Sequence, residues 1–346
     1  MICALLNPHF ITSLDSSIFH KHCKITKNKA FINHNGDYET RIGIDSVSFA
    51  RGIVNELTGV DEPSFSDTIK IIFAIYNNVL GKKYDHNEEY WIFYHMHQTN
   101  YHLNTLDNLM SNSDFKRLEY LFIIREPVQH LFSCINFFSQ MEGYFAAMIS
   151  TMNSLKNFIC SDLGYMFEKK RSNFKKNVKV VRFEDLKLRS KETMLAFCKW
   201  ADIEYSDSMT ETTVNGIKVY LTTVTDDGKK RYITGNDPYA VNRKDFSSQM
   251  TSYDIVRLNI AFQKFKKAYG YEVDVPDFKD FSKGFLNEMY SKDFKFVRTL
   301  IDSADKTGDI TNSKNILSEG IKHLLLTFMG NYEENTEYYD YFKVET

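Results

Sequence analysis

The residues in this chain best suited to chemistry are an arginine, a serine and two histidines. Arg125 stands directly behind the apolar run Tyr120–Ile124, and Ser133 follows it by eight positions in REPVQHLFS. His95 and His97 alternate at the end of a second apolar run, YWIFYHMH. A guanidinium grips an oxyanion through paired, charge-assisted hydrogen bonds, and a hydroxyl can add another donor. An imidazole titrates near neutrality, so it can take a proton from an attacking group. Spacing alone leaves alternatives standing. Arg125 would equally pair with a nearby carboxylate, and the His-x-His pair would equally hold a metal or sit inertly in a core.

These side chains must be positioned by their elements. The β-branched and aromatic run Tyr120–Ile124 predicts a buried parallel strand. Glu126 and Pro127 follow Arg125, and proline suits a first helical turn because its missing N–H has no partner to find there. Val128, Leu131, Ile135 and Phe138 then repeat at helical spacing as a core face, with Gln129, Ser133, Asn136 and Gln140 on a polar stripe. A cation at a strand's carboxyl end, a hydroxyl on the next helix and free N–H groups at that helix's start make an anion site, and the ligand expected is a phosphate. Over Tyr90–His97, strand alternation places both histidines on one face near the carboxyl end.

The hydrophobic strand, the Arg-x-Pro and the serine eight residues on resemble the 3′-phosphate-binding element of sulfotransferases that use 3′-phosphoadenosine 5′-phosphosulfate (PAPS). Val178 to Met209, VKVVRFEDLKLRSKETMLAFCKWADIEYSDSM, is similar to that family's strand, Tyr-Glu-Asp-Leu, helix and aromatic turn. The two segments cover roughly the middle third of the chain, and a weaker match trails to about Tyr271. The resemblance implies an α/β fold, a parallel sheet flanked by helices of the P-loop-like sulfotransferase kind, over residues 1–272. A helical C-terminal extension would occupy 273–346.

The same resemblance implies roles. PAPS would be the donor substrate and no metal would be needed. Arg125 and Ser133 would hold the 3′-phosphate, and Phe183, where the family carries a tyrosine, would lie beside the adenine. Glu184 and Asp185 are expected to cap the next segment and fix the turn. Lys230 and Arg231, with Lys229 and Gly235, are the nearest counterparts of late basic contacts to the nucleotide, although a solvated hairpin fits them equally. His97 would be the general base and His95 a neighbouring cation. Sulfuryl transfer is an in-line displacement with needs like those of phosphoryl transfer: alignment, charge neutralisation and a base. Ala4–Phe10, ALLNPHF, fits a turn that in the family follows the glycine- and serine-rich loop for the 5′-phosphosulfate, so that loop is expected to be missing. Leu80–Lys83, LGKK, does not replace it, having neither the earlier glycine nor the later Ser/Thr of a phosphate loop.

Composition bounds the rest. The 346 residues are 43% hydrophobic and 15% aromatic, enough for a sizeable core. The formal charge of −2 gives no broad basic field, which argues against nucleic acid and makes any anion binding local. Five scattered cysteines, none in CxxC, point to a reducing compartment, with the cytoplasm as default. No run approaches the ~20 apolar residues of a membrane span, and the first residues lack signal-peptide character. His20, His22 and Cys23 are metal-ligand types, but no second pair follows at finger spacing, so they read as an exposed basic turn.

Ile44–Leu57, Phe65–Leu80 and Ser252–Tyr271 read as amphipathic helices. Asn215-Gly216 and Asp227-Gly228 supply turn chemistry for short hairpins. Three rivals remain beside the sulfotransferase: a catalytically silent relative that binds nucleotide as a partner subunit, a P-loop kinase disfavoured by the absent Walker lysine, and an α/β protein whose Arg125 is structural. The acceptor is open between a glycan, a lipid and a small metabolite, and the sequence names no oligomeric state.

Overall fold

A computed structural model of the chain describes residues 46–58, 65–79, 81, 119–139, 178–211, 213–214, 217–218, 221–224, 230–233, 241, 246–298, 322, 325 and 339–344. Contacts divide the chain into two compact units, Met1–Leu118 with Glu211–Leu221, and Glu119–Thr210 with Thr222–Thr346.

In the first unit, α1 (Ser46–Leu57) and α2 (Phe65–Val79) occupy the two amphipathic stretches. Phe49 and Ile53 on α1 are buried, as are Ile72, Ile75 and Tyr76 on α2. Gly52 permits the close approach, since a Cβ there would come within 2.7 Å of Ile75 Cγ2. β3 (Thr213–Val214) and β4 (Ile217–Lys218) pair antiparallel with Val214 opposite Ile217, so Asn215-Gly216 is the two-residue connection its residue types favour.

The second unit is built on two parallel strands, β1 (Tyr120–Ile124) and β2 (Val178–Arg182), in register from Tyr120 opposite Val178 to Ile124 opposite Arg182. β1 departs from the expected strand buried on both faces. Tyr120 and Ile124 are buried, but Leu121 is 39% and Ile123 60% exposed, because strand alternation puts them on the opposite face and that face is open. On the far side of β2 the segment Tyr339–Val344 adds a short parallel pairing. The Val180 N–H donates to the Asp340 carbonyl at 3.0 Å, and the Phe342 N–H donates to the Val180 carbonyl at 3.0 Å.

Helix α3 (Pro127–Ser139) follows β1, and Val128, Leu131, Phe132 and Ile135 form its buried face. It packs on α6 (Ser252–Ala268), whose Leu258, Ala261, Phe262 and Phe265 are buried. After β2 come α4 (Phe183–Leu188) and α5 (Ser190–Ala201). β5 (Leu221–Val224) pairs with β6 (Lys230–Ile233).

α6 is stopped at both ends by side-chain and backbone chemistry. Thr251 and Asp254 form a capping box at its start. At its end Gly270 adopts φ 68°, the Gly270 N–H donates to the Lys267 carbonyl and the Tyr271 N–H to the Lys266 carbonyl, which is a Schellman ending.

Residues on either side of position 272 share one core. Arg257, fully buried on α6, donates to the carbonyls of Met289 and Lys292 at 3.0 and 2.5 Å and pairs with Asp254. The Tyr290 hydroxyl of α7 (Lys283–Ser291) returns a bond of 2.6 Å to the Arg257 carbonyl. Tyr339 stacks on Phe122, Phe342 meets Trp200 edge-on and Arg189 donates to the Val344 carbonyl at 2.6 Å.

Candidate functional site

The carboxyl ends of β1 and β2 lie side by side because the strands are parallel and in register, and the residues that leave them meet there. Arg125 exits β1 and its guanidinium stands over the Phe183 ring at 5.1 Å. Phe183 opens α4 at the end of β2, and the Lys187 ammonium, one turn further on, lies 5.4 Å from the same ring. The ring expected beside adenine is thus met by two cations, and this cation–π contact holds the Arg125 guanidinium over it.

Ser133 sits half-buried on α3, one turn beyond half-buried Gln129 and therefore on the same stripe. His130 lies on that helix too. Burial first, and the Arg125 guanidinium second, lower its imidazole to about 4, so it is neutral at pH 7.

The start of α3 differs from the open anion cradle expected. Glu126 caps it: its Oε2 accepts the Gln129 N–H at 2.7 Å, and its Oε1 lies 3.0 Å from the Lys266 ammonium. Pro127 has no N–H to offer, so at most the Val128 amide of that turn is left for a ligand. The carboxylate and the partial positive charge of the helix start satisfy each other, so an anion at this edge would have to be met by side-chain cations.

Glu184 and Asp185 also behave differently from helix caps. α4 begins at Arg182 without a side-chain cap. Instead Glu184 reaches across to the other turn, its Oε1 accepting the Glu126 N–H at 2.8 Å and its Oε2 the Tyr271 hydroxyl at 2.9 Å. Buried Asp185 lies 3.2 Å from Arg182 Nε and pairs with Arg189. Arg182 in turn donates to the Tyr269 and Gly270 carbonyls at 3.2 and 3.0 Å and covers the Tyr271 ring at 4.7 Å. A guanidinium at the end of α6 meets the negative end of that helix. Among the described residues around the two strand ends, Arg125, Arg182, Lys187, Arg189 and Lys266 outnumber Glu126, Glu184 and Asp185. The chain as a whole is slightly acidic, so among the described residues this cluster of cations stands out from the average composition.

Arg125 and Phe183 are brought together by the fold. Lys230 and Arg231 fall in β6, where the backbone alone is described. His95, His97, Lys229 and Gly235 lie outside the described residues. Sequence reasoning missed Arg182, Tyr271, Lys266 and His130. A basic residue at the end of the second strand was a usable signal for Arg182, whereas Lys266 and Tyr271 join only through tertiary packing.

Comparison with models of protein families, with curated proteins and with solved structures finds no match. Among the described residues no helix is long and apolar enough to cross a membrane.

Proposed function

We propose that this chain binds the adenosine 3′,5′-bisphosphate portion of PAPS and transfers the sulfuryl group to a hydroxyl or amine of a glycan or small-metabolite acceptor. The observation that carries the reading is Arg125 at the carboxyl end of β1, held over Phe183 at the carboxyl end of the neighbouring parallel strand. This is the edge where open α/β sheets place their ligands. The local excess of cations supports an anionic ligand, and the Arg-x-Pro spacing to Ser133 supports a phosphate on a ribose as the group gripped.

In this reading Arg125 neutralises and fixes the 3′-phosphate, which sets the distance of the sulfur from the acceptor. Ser133 adds a hydroxyl donor from α3. His97 takes the proton of the attacking group. The test is transfer from sulfur-labelled PAPS to acceptors in cell extract. Label should pass to an acceptor with the chain extended by a 5′-phosphosulfate loop and not with the Arg125→Ala variant of that protein, while His97→Ala should lose transfer and keep bisphosphate binding. An unchanged rate in Arg125→Ala would overturn the assignment.

A further inference from the structure

We propose that Glu184 and Tyr271 are positioning residues that orient Arg125 for phosphate recognition; the ligand named rests on the reading above. The amide N–H of Glu126 belongs to the same peptide plane as the Arg125 carbonyl. Its 2.8 Å bond to Glu184 Oε1 therefore fixes that plane, and with it the backbone from which the Arg125 side chain departs. A carboxylate reaching over from another helix can hold a plane only if it is itself held. The Tyr271 hydroxyl does this at 2.9 Å on the second oxygen.

Tyr271 is fixed from three sides. Its ring lies under Arg182 at 4.7 Å and stacks on Phe265 at 6.4 Å, and its N–H closes the α6 ending set by Gly270. Burial, followed by the charge of Glu184, raises the phenol above its ordinary range, so it stays protonated and remains a donor. The arrangement also engages both oxygens of Glu184, which keeps that carboxylate turned to its donors when an anion enters beside Arg125.

Three variants separate positioning from general stability. Glu184→Ala removes the acceptor. Tyr271→Phe removes only the hydroxyl and keeps the ring under Arg182. Glu184→Gln keeps an amide oxygen for the Glu126 N–H and an NH₂ that Tyr271 can accept. Titration calorimetry with adenosine 3′,5′-bisphosphate should show about ten-fold weaker binding for Glu184→Ala and Tyr271→Phe, the scale of one hydrogen bond to a charged group, and near wild-type binding for Glu184→Gln. Adenosine 5′-monophosphate, which lacks the phosphate in question, should bind all four proteins alike.

A ligand-free readout accompanies it. The His130 titration followed by NMR should move upward in Glu184→Ala and Tyr271→Phe as Arg125 leaves its vicinity, and stay put in Glu184→Gln. Wild-type bisphosphate affinity together with a wild-type His130 titration in folded Tyr271→Phe would overturn the proposal. A wild-type chain that binds no bisphosphate, with His130 still shifted in the two disruptive variants, would uphold the positioning and refute the nucleotide reading.

Discussion

Lowering the pH from 7 to 5 should cost this fold stability through one histidine. His130 is held down to about 4 in the folded chain from an ordinary 6.5, by burial first and Arg125 second. The folded state thus takes up fewer protons than the unfolded chain between those two values. Stability contributed by keeping the imidazole neutral is complete above 6.5 and is lost as pH falls through the window to 4. The difference of two protonation curves with these midpoints is about 2 kcal/mol at pH 5 and about 3 kcal/mol in full, at 1.36 kcal/mol per unit. Urea unfolding at both pH values, for wild type and His130→Gln, measures it. Carboxylates and the remaining histidines titrate in both proteins, so the wild-type chain should lose about 2 kcal/mol more than the variant on going to pH 5. Equal losses in the two would refute the reasoning. Filling the site with phosphate next to Arg125 should raise the imidazole again, which the same NMR titration reads.

Three further outcomes follow from the packing. Arg257→Ala should destabilise by about 3–5 kcal/mol in urea unfolding, because it leaves Asp254 buried and unpaired and frees the carbonyls of Met289 and Lys292. Burial raises the Asp254 carboxyl, but bonds from the Thr251 backbone, Arg257, the Thr251 hydroxyl and the Lys295 N–H more than offset this and lower it, so its contribution is present above the ordinary 3.8 and lost as pH falls through the lowered folded value. Gly270→Ala should cost about 2 kcal/mol or more in thermal or urea unfolding, since a Cβ at φ 68° is strained and would lie 2.6 Å from the Tyr341 hydroxyl. Phe342→Ala should cost about 3 kcal/mol and red-shift the fluorescence of Trp200, whose ring it meets at 5.8 Å.

Much of the frame was legible because local patterns agree with tertiary demands. The apolar run Tyr120–Ile124 and the valine-rich Val178–Arg182 formed parallel strands, and Pro127 opened a helix as its fixed φ requires. Asn215-Gly216 joined two short strands in two residues. Half of the candidate site's geometry was legible. Arg125 could be singled out because the chain switches there from an apolar strand to a proline-opened helix, and Phe183 because it stands where the resembled family carries a tyrosine. The acidic residues were misjudged for a physical reason. A carboxylate near a helix start satisfies a capping pattern in sequence, but Glu184 finds its donors 58 and 87 positions away, and no local rule contains such a pairing. The Glu126 cap is hidden in sequence because the adjacent Pro127 marks the helix start equally well, whatever side chain precedes it. The C-terminal segment read as tyrosine-rich and acidic; its pairing with β2 depends on Phe122, Trp200 and Tyr269 offering ring faces that only the folded sheet assembles.

The central claim is that Arg125 grips a phosphate on the ribose of an adenine nucleotide. Titration calorimetry of the full chain with adenosine 3′,5′-bisphosphate, against adenosine 5′-monophosphate, tests it most directly. The account predicts a micromolar or tighter Kd for the bisphosphate, weaker binding of the monophosphate, and a loss of about ten- to hundred-fold for the bisphosphate alone in Arg125→Ala. Equal affinity for the two nucleotides, or a bisphosphate Kd unmoved in Arg125→Ala, would contradict it.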